Sequence, residues 1–198
     1  YRSLMKELTS IALPLTLGGL IMPVSQLIDS ALVLNLVKAG DATTLYGIWS
    51  GPVHSLLGMP VVLVGGVAAA VLPAISRAHV SGNKPLMDAN INSALKLTNV
   101  IALPCVLGFA CLSRQIVRLL YSSLPETDLR LAGSLLALSS ASILFLALSG
   151  TCTSIMQGTG KIYYPLMFLG ISCIVKIALN LILMPLEQIN IYAFAITT

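Results

Sequence analysis

Long apolar runs separated by short polar turns organise this chain. The first run, Thr9–Val37, carries one formal charge, Asp29. A turn at Lys38-Ala39-Gly40-Asp41 leads into the second run, Ala42–Ser76, where His54 is the only possible charge. Further runs cover Leu97–Ser113, Leu131–Gln157 and Ile162–Leu186, and a sixth begins at Ile189. About 20 apolar residues in a helix cross a bilayer, so the 198 residues leave room for about six crossings. The runs are continuously apolar, whereas membrane strands are about ten residues long and alternate in polarity, so helices are predicted throughout. The second run exceeds one perpendicular crossing, which predicts a kinked or interfacial start near Gly51-Pro52 and a second bend at Pro60.

Between the runs, Arg77–Lys96 reads as a polar connector whose later part is an amphipathic helix leading into the membrane. Lys96 and Arg114 flank the third run and are placed to snorkel. Arg114–Arg130, with Pro125, Glu126 and Asp128, reads as a second connector, and Gly158-Thr159-Gly160-Lys161 as a turn. Basic residues on one side of the runs (Arg2, Lys6, Arg77, Lys84, Lys96 and Lys161) outnumber those on the other (Lys38, Arg114, Arg118 and Arg130). The positive-inside rule then places the N-terminal end in the cytoplasm.

Composition agrees with the pattern. The chain is 57% hydrophobic and 9% charged, with a mean hydropathy of +0.94, whereas a soluble domain carries about 25% charged residues. The fold class expected is an all-α integral membrane protein. A net charge of +4 spread over short loops does not suit nucleic acid. Cys105, Cys111, Cys152 and Cys173 form no CxxC pair and read as small apolar residues. Gly158-Thr159-Gly160-Lys161 fails as a phosphate loop, because Ile155 replaces the first glycine and Ile162 the magnesium-binding hydroxyl. No catalytic or metal-ligand constellation is visible, so neither an enzyme nor a cofactor is expected. Tyr1 and the apolar tail Ile189–Thr198 suggest a piece of a longer protein.

Lys176 is the residue that most needs an explanation. It lies alone in its apolar run, where an isolated ammonium costs roughly 3 kcal/mol or more. Asn180, four residues on, shares its helix face. Two readings stand open: a cavity-lining cation able to hold a phosphate, or a lysine neutralised by an internal carboxylate. Asp29, near Ser25, Gln26 and Ser30, could bind a coupling cation or proton, pair with a basic group, or reach loop water. His54 is either a group titrating near neutrality or a hydrogen-bonded packing residue. Gly47 and Gly51 form a GxxxG pattern suited to close helix packing. Pro14, Pro23, Pro60 and Pro104 are candidate points of helix bending, with Pro73, Pro165 and Pro185 also in or at the ends of apolar runs.

Several phrases in order carry a family resemblance. They are Leu27-Ile28-Asp29-Ser30, Leu45-Tyr46-Gly47-Ile48, Leu72-Pro73-Ala74-Ile75-Ser76, Gln157-Gly158-Thr159-Gly160-Lys161 and Val175-Lys176-Ile177-Ala178-Leu179-Asn180. Together they resemble the stage V sporulation protein B and polysaccharide-transporter branch of the multidrug/oligosaccharidyl-lipid/polysaccharide exporter superfamily, to which the lipid II flippases also belong. The resemblance implies a MATE-like bundle of about fourteen helices, two six-helix lobes around a central cavity plus extra helices. Residues 1–198 would be one transmembrane lobe, helices seven to twelve, with an N-terminal lobe as its partner. It implies alternating access for a lipid-linked sugar pyrophosphate in a bacterial plasma membrane. Lys176, Asn180 and Asp29 are the residues the resemblance carries over to the cavity; Gln26 and His54 are secondary candidates read from the residues themselves. A cation-coupled drug exporter, with Asp29 as the ion site, and a membrane scaffold for wall-synthesis enzymes are the alternatives.

Overall fold

The computed structural model describes residues 16, 18–21, 23–33, 35 and 42–183. Among them every regular element is helical. The helices are α1 (Gly18–Val33), α2 (Ala42–Ile48), α3 (His54–Val80), α4 (Lys84–Leu120), α5 (Glu126–Ser139), α6 (Ser142–Gly158) and α7 (Tyr163–Leu183). Pro14, the turn at 38–41 and the sixth run from Ile189 lie outside the described residues.

A five-residue π-helical segment, Trp49–Val53, joins α2 to α3 into one span, Thr43–Val80. Pro52 explains it. Proline has no N–H to give the carbonyl four residues back, and its ring crowds that carbonyl. Widening the turn relieves both, and the His54 N–H then reaches the Trp49 carbonyl, five residues back. The kinked start expected near Gly51-Pro52 is this turn. Pro60, where a second bend was expected, lies within the continuous helix α3, and Pro104 within α4.

The connector expected at Arg77–Lys96 is almost wholly helical. Only residues 81–83 separate α3 from α4. Gly82 (φ 67°) takes the left-handed conformation that ends α3. Next to it, Asn83 Oδ1 accepts the Leu86 N–H at 3.1 Å and starts α4. The second connector shortens likewise, because α4 runs on to Leu120 and α5 starts at Glu126 with Glu126 and Asp128 in its first turn. Gly160 (φ 76°) caps α6 within the expected turn.

The run Leu131–Gln157 is not one straight crossing. α5 and α6 meet at 48°. At the break, Ser140 Oγ donates to the Ala137 carbonyl at 2.7 Å and Ser142 Oγ to the Ser139 carbonyl at 2.7 Å. Such local bonds compete with the helical ladder.

α3 packs along α4 and α6, and α4 packs along α5 and α6. One apolar cluster at the α4–α5 end gathers Val33, Trp49, Val53, Leu56, Val117, Leu135, Leu136 and Ile143. Farther along, Val64, Ala102 and Ala147 form a second cluster, and the buried hydroxyls of Thr98 and Thr151 pair at 2.7 Å between α4 and α6. Close backbone approach falls at Gly158, where an added Cβ would lie 3.1 Å from Ile75, and at Gly133 against Arg114. At Gly47 and Gly51, the GxxxG pair, an added Cβ would meet nothing within 4 Å, so neither marks a tight contact among the described residues. Much of the apolar surface of α7 stays exposed, including Phe168, Ile174 and Ile182.

Candidate functional site

Three helices bring the polar residues of the apolar runs to one place. On α7, Lys176 and Asn180 stand one turn apart on the same face, as four-residue spacing requires. Both point at Asp29 of α1. Lys176 Nζ donates to Asp29 Oδ2 at 2.7 Å, and Asn180 Nδ2 donates to Asp29 Oδ1 at 2.9 Å. Each carboxylate oxygen thus receives one donor. Asn180 is 0% and Asp29 4% exposed, while the Lys176 side chain retains 24%.

α3 supplies the third wall. His54 Nε2 lies 3.5 Å from the Gln26 amide nitrogen of α1, a long contact, and within electrostatic reach of both Lys176 and Asp29. His54 also borders an open, mostly apolar groove of about 610 Å³ with Ser55, Gly58, Met59, Val62 and Leu63. Tyr46, which the sequence reading passed over, donates its hydroxyl to the Gln26 carbonyl at 3.4 Å. Its position in the phrase that opens the second run was the available signal. Lys176, Asn180, Asp29, Gln26 and His54 are therefore neighbours, whereas Pro60, Pro104, Gly47 and Gly51 play no part in this cluster.

The contact supplies the carboxylate that the second reading of Lys176 required. Its charge is balanced inside the lobe by a buried carboxylate, while about a quarter of the lysine side chain stays exposed. Asp29 likewise meets a tethered ammonium and an amide. A charge pair of this kind, short and completed by a further hydrogen bond, is how ions persist among apolar helices. It joins α1 to α7, two helices far apart in sequence. No group of three or more metal-ligating side chains occurs among the described residues.

Comparison with known proteins agrees with this architecture. The chain is 29% identical over 195 residues to the lipid II flippase MurJ of Bacillus subtilis (strain 168), covering 95% of the chain and 35% of that protein. It is 27% identical over 188 residues to the uncharacterized membrane protein YabM of the same organism, covering 93% of the chain and 34% of that protein. The chain thus spans about a third of the length of these curated relatives. Among solved structures it resembles a MATE transporter in complex with MaD3S (TM-score 0.80, 16% identity). A transporter of the MOP superfamily from Pyrococcus furiosus is similar too (TM-score 0.79, 15% identity). Each match covers 95% of the chain and 40% of the solved one, and the likeness establishes a MATE-like helical fold for a multi-pass membrane protein. The family model for the lipid II flippase MurJ matches residues 2–198, and the chain belongs to that family.

Proposed function

We propose that this chain is one lobe of a flippase that carries a lipid-linked oligosaccharide or peptidoglycan precursor, an undecaprenyl-pyrophosphate sugar, outward across a bacterial plasma membrane. A second lobe, N-terminal to this one, completes the cavity, and the two rock in alternating access, with the N-terminal end of this lobe in the cytoplasm. The observation that carries the reading is the family match over residues 2–198. The fold supports it, since the likeness to MATE transporters extends over nearly the whole chain. The family is one of transporters, not of catalysts.

Lys176 contributes differently from a free phosphate-binding cation. An ammonium held at 2.7 Å by a buried carboxylate attracts a pyrophosphate less than an unpaired one, because the pair has no net charge. Its role in this reading is to tie α1 to α7 while the lobe moves as a unit. The same pairing weighs against the cation-coupled drug exporter, since both oxygens of Asp29 already have donors.

The experiment is complementation. The full-length protein carrying this chain is expressed in a strain depleted of its own lipid II flippase, and the precursor reachable by a membrane-impermeant reagent is measured. We expect the external fraction to be restored. Growth rescue without a change in that fraction points to the scaffold instead, and no rescue together with altered drug susceptibility points to the exporter. Either result removes the flippase reading.

A further inference from the structure

The junction of α4 and α5 gathers arginines. Where α4 passes into α5, Arg114 and Arg118 stand one turn apart near the end of α4, and Arg130 lies on the second turn of α5. With Glu126 and Leu129 they line a concavity of about 400 Å³. Arg114 also borders an adjoining concavity of about 530 Å³ with Ser113, Gln115 and Ser134. The arginines are displayed from a packed seam. A Cβ added at Gly133 would lie 2.8 Å from Arg114 Cγ and 3.2 Å from its Cα, and Val117 and Leu129 are buried alongside.

The charges there do not balance. Three guanidiniums meet one lining carboxylate, Glu126, which reaches Arg130 at 3.5 Å. Among the described residues, neither Arg114 nor Arg118 has a carboxylate within salt-bridge distance. Like charges four residues apart on a helix repel, and an anion between them removes that cost. Guanidinium forks fit phosphate oxygens in bidentate fashion. The depth also fits. The apolar run Leu97–Ser113 ends at Arg114, and Leu119 (81%) and Leu120 (56%) are exposed in the same turns. Basic side chains among exposed leucines at a run's end sit where hydrocarbon gives way to headgroups.

We infer that the concavity between Arg114, Arg118 and Arg130 binds a phosphate-bearing anion at the membrane surface. The headgroup phosphate of an anionic lipid is the source the neighbouring leucines favour, and a soluble diphosphate shares its chemistry. This site lies on different helices from the Lys176–Asp29 pair and stands independently of the transport reading.

The test titrates detergent-purified full-length protein separately with phosphatidylglycerol, phosphatidylcholine and inorganic pyrophosphate, reading binding by native mass spectrometry. Phosphatidylglycerol should bind more tightly than phosphatidylcholine. Arg118→Gln and Arg114→Gln should each weaken it roughly fivefold, the value of one basic residue near an anionic surface. Glu126→Gln should strengthen it by about twofold, in line with an exposed ion pair competing for Arg130. A misfolded variant cannot mimic that gain. Phosphatidylglycerol binding without pyrophosphate binding identifies the lipid as the source, whereas pyrophosphate binding with the same dependence on Arg118 identifies a soluble phosphate. The inference is overturned if the two lipids bind alike and pyrophosphate does not bind, or if Arg118→Gln and Glu126→Gln leave every affinity unchanged.

Discussion

Replacing Lys176 with Met and Asp29 with Leu, singly and together, separates a tie between helices from a substrate contact. In the single Lys176→Met protein, the Asp29 carboxylate keeps its Asn180 bond of 2.9 Å and loses the ammonium at 2.7 Å. Breaking one partner of a buried pair costs about 3–5 kcal/mol, and Asp29→Leu should cost a similar amount by stranding the ammonium. Independent losses would sum to about 6–10 kcal/mol, but the double variant strands neither charge and should lie within about 2 kcal/mol of the parent. Each single change should therefore lower the thermal midpoint, and the second change should recover most of the loss. The assay is thermal unfolding of the purified full-length protein in detergent, paired with precursor flipping in cells. Additive single costs would refute the tie. On the proposed flippase reading, a stable double variant that no longer flips precursor would return Lys176 to the substrate's path.

Two further outcomes follow from the packing. Gly133→Val should destabilise the protein by about 1–3 kcal/mol through overpacking against Arg114, while Gly150→Val, where an added carbon meets nothing within 4 Å, should be nearly neutral in the same melts. Thr98→Val should cost about 1 kcal/mol by removing one partner of the buried hydroxyl pair, and Thr98→Val with Thr151→Val should cost less than the two single losses combined.

The legible parts of the chain are those governed by local periodicity. Apolar runs marked the helices, the Gly158–Lys161 turn followed from its glycines, and Pro52 announced a distortion at the start of the second span. Four-residue spacing also placed Lys176 and Asn180 on one face. Their partner was a different matter. Asp29 lies 147 residues before Lys176, and no spacing rule within a helix says which other helix will face it. The break at Ser139–Ser142 was missed because the run Leu131–Gln157 stays apolar through it, and only the serine hydroxyls reveal an alternative to the helical ladder. Glycine contacts depend on partners in the same way. Gly47-x-x-x-Gly51 has the pattern, but the close approaches fall at Gly133 and Gly158, whose importance depends on Arg114 and Ile75 across the interface.

The widened turn at Trp49–Val53 has an angular consequence. It holds one residue more than a regular turn, so α2 and α3 behave as two wheels on one axle, set out of phase by about 100°. His54, the first residue beyond it, lies 3.5 Å from the Gln26 amide. Removing a single residue from 49–53 would restore the regular winding and swing Tyr46 and its turn away from α1, with no change in the hydrophobicity of the span.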